Sequence, residues 1–538
     1  MKKLIVLILH LFICLSSAAQ VLPEEKVFAH LSKKILVTGE NLHFSVMARS
    51  ENAPSPSAMA YAELIDRTNQ PVAQVIIPLE QGFAENQLEI PSHLPSDHYL
   101  FRVYTRISPY LGEQGIFNQF ITVIHPSLPP DTSQPVRNMQ LETRQSRKKI
   151  DLDLTTTPTS GTFNIPFGLG PKLSKSSLSI SLKNPYLSEE LQGYFYNEVY
   201  QKISQPARLI PEPLGHIVHA RTPMHQSDTS ETFFLSSHGT QSILNSAKPS
   251  PQGELFFDLG ALRDFNFLLV QSANQEKQLD FNPQSPFLNI PFHTEFGFPQ
   301  LSLEEKDREF LQKLLLAGRS ENYYMESEKQ AFLPIATGFV ADKTYLLDDY
   351  NRFENMEVTW KEYIPEVLVR RQSRKLVLRV LDKPLSAVFR ENPLVLIDAM
   401  PVFEIDRLGK FDPQNFEKIE ILAREFFLNQ DRFAGVISIT SFENDFGGFE
   451  LPENSLYLNY WPVQATKKFI SPHLVKLPVP PNFPDFRSLL YWNADVEGQM
   501  EQQFQSSMTP GVYEIVISGI MENGDFEIHV DEFRVEED

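Results

Sequence analysis

Pro393-Leu394-Val395-Leu396-Ile397-Asp398-Ala399-Met400-Pro401-Val402-Phe403 decides how the architecture of this chain is read. Leu394 to Ile397 is a continuous apolar run, and continuity implies a strand buried on both faces. Asp398 to Pro401 reads as a turn. Asp412-Pro413 follows, and then Phe416-Glu417-Lys418-Ile419-Glu420-Ile421-Leu422, in which polar and aliphatic residues alternate. Gly435 breaks the chain before a second apolar strand, Val436 to Ile439. These positions read as the structural core of a small α+β unit over residues 350–450, without catalytic character.

The succession PLVLIDAMPVF, FEKIEIL and GVISIT resembles the plug domain of TonB-dependent outer-membrane receptors. In that family the turn after the first strand is usually Asp-Gly, so Ala399 implies a different turn geometry. A receptor of that family carries a 22-stranded barrel after its plug, which takes roughly 200 residues before any loops. Only 88 residues follow Glu450, and they read as linker and sandwich. The expectation is therefore a plug-like domain without a barrel of its own.

Residues 1–20 read as a secretory signal. Lys2 and Lys3 form the basic region, Leu4 to Leu15 the apolar region, and Ser17-Ala18-Ala19 the cleavage site. The apolar run is short for a spanning helix. Cys14 is preceded by Ile13, where lipid attachment wants a small residue. After removal of the signal the chain has no cysteine, so its cores alone hold it. It then carries 46 basic and 68 acidic residues. That balance excludes nucleic acid and anionic lipid surfaces as expected partners. No later run is apolar and long enough to predict a transmembrane segment after the signal peptide.

The rest of the chain reads as mainly β: tandem Ig-like or macroglobulin-like β-sandwiches plus one small α+β plug-like domain. Residues 21–125 alternate as one sandwich, with Leu42-His43-Phe44-Ser45-Val46 as its clearest strand. The patterns Val37-Thr38-Gly39-Glu40 and Val103-Tyr104-Thr105 resemble the macroglobulin-type domain at the start of many exported Bacteroidota proteins. Residues 136–205 read as a second sandwich around Ser177-Leu178-Ser179-Ile180-Ser181-Leu182. Residues 208–285 read as a third, with Gly215-His216-Ile217-Val218 and Gly253-Glu254-Leu255-Phe256-Phe257. These resemble the opening and middle strands of the carboxypeptidase regulatory-like sandwich, a name that implies no peptidase chemistry. Residues 290–349 form a connector, in which Ser302 and Glu305 predict a capping box, 303–317 a helix and Gly318 its end. Residues 451–485 read as a proline-rich linker and 486–538 as a C-terminal sandwich. Asp485-Phe486-Arg487-Ser488-Leu489-Leu490-Tyr491-Trp492 completes a resemblance to Bacteroidota exported proteins that combine these units with a barrel-less plug.

Candidate chemistry is sparse. Gly112-Glu113-Gln114-Gly115 matches part of a thioester motif, but thioester chemistry needs a cysteine. His216, His219, His225 and His238, with Asp228, invite a zinc reading. His216 and His219 are three apart on a strand, which points them to opposite faces. Asp445-Phe446-Gly447-Gly448 matches a kinase triplet without the loops that give it meaning. Arg370-Arg371-Gln372-Ser373-Arg374-Lys375 reads as a solvated basic stretch. No catalytic, cofactor-binding or metal-ligating residue is assigned, no cofactor is expected, and no enzyme activity is expected. The predicted function is that of an exported cell-envelope protein, periplasmic or at the outer membrane, that binds an outer-membrane or secreted protein. Two alternatives stand beside it. One is a carbohydrate or peptide binder using Tyr323, Tyr324, Trp360 or Trp461. The other is a cysteine-free macroglobulin-like protease inhibitor with 322–350 as its bait.

Overall fold

Alternation along residues 25–124 builds two facing sheets around a shared apolar core. One sheet holds Glu25–Leu31, Asn41–Ser50, Ala53–Pro54 and Phe83–Glu89; the other holds Phe117–Ile124, Asp97–Tyr104, Met59–Ile65, Pro71–Pro78 and Ile35–Val37. Phe44, Leu64, Phe101, Val103 and Ile121 are fully buried between them. The computed structural model describes residues 24–50, 53–111, 115–130, 147–150, 154–166, 173–195, 199–201, 210–223, 228–239, 242–321, 326–327, 339–470, 484–496, 501–521 and 525–537. The fold is mainly β and made of many small sheets.

The second and the C-terminal units, expected as separate sandwiches at 136–205 and 486–538, are one structure. Leu173–Leu182 lies between Gly511–Met521 and Leu489–Asn493, and Phe526–Glu536 extends the same sheet. Thr162–Pro166 pairs with Glu501–Gln505. The physical reason is edge satisfaction: a lone strand such as Leu173–Leu182 leaves backbone groups unpaired on both sides. Leu178, Ile180 and Leu182 enter this composite core with Tyr491, Phe504, Tyr513 and Phe533. Ser177 and Ser179 point the other way and meet His30 of the first sandwich at 2.7 and 3.0 Å.

The expected capping box is displaced. Glu304 and Asp307 form it instead of Ser302 and Glu305, and the α-helix spans Arg308–Ser320. Gly318 does not end this helix. A Cβ there would stand 3.0 Å from Glu40 Oε1 and 3.1 Å from Val37 Cβ, so glycine allows close approach to the first sandwich.

The third unit pairs Ile217–Arg221 with Glu254–Asp258 and Asn282–Pro283. It faces a sheet of Ile243–Ala247, Phe233–Gly239, Phe265–Ser272 and Ser455–Leu458. The last strand comes from the stretch expected to be linker.

In the α+β unit expected to be plug-like, a five-stranded sheet runs Lys343–Leu346, Phe416–Leu422, Val436–Ser441, Leu394–Ile397 and Met400–Pro401. Leu394–Ile397 is buried throughout and pairs in parallel with Val436–Ile439. The helix Met356–Tyr363 is capped by Asn355 and buries Trp360 in the core. Lys343–Leu346 belongs to the range expected as connector, but its partner is Phe416–Leu422.

The Asp398–Ala399 turn has φ values of 46° and 65°. Both residues are left-handed, as in the two-residue hairpin turn that Asp-Gly favours. The different geometry expected from Ala399 does not occur; alanine is held in the conformation glycine prefers. Ala399→Gly is therefore expected to stabilise the protein by about 0.5–1 kcal/mol. Urea unfolding of the two forms measures it, and an unchanged or lower midpoint would contradict the assignment.

Candidate functional site

Asp398 is the organising carboxylate of the plug-like unit. Ser441 N donates to it at 2.8 Å, Ser441 Oγ at 2.6 Å and Phe446 N at 2.8 Å. Burial pushes its carboxyl above the ordinary value, against the pull of these hydrogen bonds. The Asp445–Gly448 segment is thereby fixed as a tight turn, with Asp445 Oδ1 accepting Gly447 N at 3.0 Å. Its role is structural.

The exposed side of the same unit differs in character. Lys343–Leu346 is the terminal strand of its sheet, and among the described residues no strand pairs with its outer edge. Lys343, Thr344 and Leu346 are exposed and Tyr345 is half-buried. The Tyr345 hydroxyl donates to Glu366. A row of rings continues from it. Tyr345 and Tyr350 are 6.3 Å apart, Tyr350 and Tyr363 are 4.6 Å apart, and Tyr363 and Phe353 are 5.0 Å apart. Phe442 is 50% exposed, with the Arg352 guanidinium 5.6 Å from its ring centre. Arg352 is itself fixed by donating to Pro413 O at 2.5 Å and Phe416 O at 2.9 Å. An open strand edge bordered by aromatic rings offers backbone hydrogen bonds and large apolar contacts together.

A second feature lies on the third sandwich. Its strand Glu254–Asp258 turns Leu255 and Phe257 inward and Glu254 and Phe256 outward. The outward residues line a cleft of about 830 Å³ with Tyr110, Arg221, Asp280 and Asn282. His219 stacks on Phe256 at 4.7 Å and 17°. Glu254 receives His219 and, at 3.1 Å, Arg221 Nη2. Burial lowers the His219 pKa, and the neighbouring Glu254 opposes that shift.

The histidines of the zinc reading are dispersed. His216 is fully buried, with Nδ1 2.9 Å from Glu212 Oε1 and Nε2 3.0 Å from the Tyr460 hydroxyl. Arg106 lies 3.1 Å from the same Glu212 oxygen, and Tyr61 donates to Oε2 at 2.6 Å. Burial alone would raise the Glu212 carboxyl, but His216 and Arg106 hold it below its ordinary value. This network binds the first sandwich to the third. His238 lies in the other sheet, beside Ser236 Oγ at 2.8 Å, and His225 is outside the described residues. Among the described residues no group of three or more His, Cys, Asp or Glu is arranged to hold a metal ion.

The other candidates also find their places. Ser373 and Arg374 form the left-handed turn of a hairpin, and Arg371 pairs with Glu357. Trp360 is fully buried and forms no binding platform; Trp461 is 38% exposed against Phe287 and Tyr460. Tyr323, Tyr324 and Gly112 to Gln114 lie outside the described residues, as do residues 1–20. The proposed bait range contributes Lys343–Leu346 to the plug-like sheet, which removes that part from an exposed loop. Sequence reasoning missed the Phe256 cleft. Its signal was an aromatic ring in the outward phase of an alternating strand.

No protein-family model matches the chain, and no curated protein matches it. Solved structures give weak likenesses. Escherichia coli α-2-macroglobulin in its native conformation shares 9% identity over 97% of this chain and 23% of its own, with a TM-score of 0.16. A mutant of Salmonella α-2-macroglobulin shares 8% over 95% and 23%, with a TM-score of 0.16. A β-glucosidase from Listeria innocua shares 16% over 19% and 16%, with a TM-score of 0.15. The chain spans less than a quarter of the length of each of these. The similarity to macroglobulin-type and Ig-like sandwiches is weak and carries no functional argument.

Proposed function

We propose that this is a non-enzymatic exported envelope protein that acts by binding another envelope protein through the edge of its plug-like sheet. The observation that carries this reading is the outer edge of Lys343–Leu346, with which no strand pairs among the described residues, together with Leu346 and Tyr350 beside it, which are 47% and 36% exposed. Strand addition to such an edge gains main-chain hydrogen bonds, and the flanking rings supply contact area at small entropic cost. The secretory signal read in residues 1–20 and the resemblance of the sequence to a receptor plug support a partner in the periplasm or at the outer membrane.

Crosslinking in intact cells, followed by mass spectrometry, tests it. The wild-type chain should yield one or more envelope proteins joined near residues 343–350. Leu346→Asp combined with Tyr350→Ala changes only exposed side chains and should lower that yield about tenfold. An equal yield from the double variant, or no envelope protein recovered with the wild type, would overturn the proposal.

A further inference from the structure

We infer that the cleft over Phe256 is a binding site for a short, uncharged oligosaccharide. Sugar rings present an apolar C–H face and a rim of hydroxyls, so their sites join an aromatic ring to planar polar groups. This cleft has both. Phe256 is 38% exposed, and His219 covers one side of the ring at 4.7 Å, which fixes its plane. Around it stand Arg221, Glu254, Asp280 and Asn282, which together offer donors and acceptors to neighbouring hydroxyls. The cleft volume of about 830 Å³ falls in the range usual for small-ligand sites.

The site is also held in place before any ligand arrives. Glu254 is tied by His219 and by Arg221 at 3.1 Å, and its backbone N donates to Ser250 Oγ at 3.1 Å. Strand pairing fixes His219 opposite Phe256 and Arg221 opposite Glu254. Such preorganisation lowers the ordering cost of binding. Two carboxylates against one guanidinium make the cleft a poor host for an anionic ligand, which favours a neutral sugar. The cleft is on the third sandwich and the strand edge Lys343–Leu346 on the plug-like unit, so either assignment can fail without the other.

Isothermal titration calorimetry on the full chain tests the inference, with maltotriose, cellotriose, mannotriose and chitotriose as probes at up to about 10 mM. At least one trisaccharide is expected to bind. Phe256→Ala should weaken that binding about tenfold or more, whereas Phe256→Trp should retain it. Asn282→Ala, at an exposed position, should weaken it several-fold. Circular dichroism of the variants should match the wild type. No binding of any of the four sugars would overturn the assignment. So would equal binding by the folded Phe256→Ala variant, or binding of extended peptides in the cleft without any sugar.

Discussion

Stability is expected to fall from pH 6.5 towards pH 3, and most steeply below about 4.5. Four buried histidines whose pKa falls to about 3 set this course. His30 sits between Ser177 and Ser179, His43 lies 4.3 Å from the ring of Phe469, His98 meets Thr122 Oγ1 at 2.9 Å, and His238 stacks on Phe267 at 4.9 Å. Burial lowers each from 6.5 to about 3, with the Lys34, Lys33 and Arg67 charges adding to it at the first three. The unfolded chain takes up these protons first as pH falls. Their contribution is complete above 6.5 and is lost towards 3, at about 1.4 kcal/mol per pH unit for each ring.

Glu85 and Glu321 act in the opposite sense. Burial pushes both above 4.5, Glu85 to about 7, so the folded protein takes up these protons first. Above 4.5 they offset part of the slope set by the four rings, and below 4.5 that offset ends. The steep limb should then reach roughly 5 kcal/mol per pH unit. Urea unfolding at pH 7, 5 and 4, followed by tryptophan fluorescence, reads the curve directly. His43→Leu should flatten the steep limb by about a quarter, one ring of four. Equal stability at pH 7 and pH 4 would refute the account.

Lys33→Met is expected to destabilise the protein by about 3–5 kcal/mol, because it leaves the buried Glu40 and Glu321 without their cation. The ammonium of Lys33 is almost fully buried, and it meets Glu40 at 3.0 Å, Ser488 Oγ at 3.2 Å and Glu321. Glu40 belongs to the first sandwich, Glu321 follows the helix Arg308–Ser320, and Ser488 belongs to the composite sandwich. One cation thus joins three parts of the fold. Glu40 keeps a hydrogen bond from Val37 N at 2.6 Å, but Glu321 has little else. Combining Lys33→Met with Glu321→Met should recover much of the loss, since replacing a buried pair costs far less than breaking it. A double variant as unstable as the single one would show that shape, and not charge, decides the site.

Much of the α+β unit over residues 350–450 was legible because its signals are local. Leu394 to Ile397 is apolar without interruption, Phe416 to Leu422 alternates, and Gly435 marks the break between them. The partner of a strand is another matter. Ser177 to Leu182 announces a strand with two distinct faces, but no period in it says that its neighbours are Leu489–Asn493 and Gly511–Met521. The capping box slipped by two residues because Ser302 and Glu305 fit the capping pattern as well as Glu304 and Asp307 do. The strand edge at Lys343 and the Phe256 cleft were hidden for a related reason. Exposure depends on which surfaces the remaining units cover, and that is a property of the assembled molecule.

The composite sandwich also sets the order in which the molecule can be completed. A chain exported N-terminus first, as proposed, delivers Leu173–Leu182 well before Leu489–Asn493 and Gly511–Met521, the two strands that flank it. Pairings this distant in sequence form slowly. During the wait the strand is a bare template on both edges, the hazard that drives misassembly. Ser177, Ser179 and Ser181 limit the danger, because they put hydroxyls and not apolar groups on that side of the waiting strand. Ser177 and Ser179, which dock against His30 of the first sandwich in the finished protein, thus act earlier, as a guard on an unfinished one.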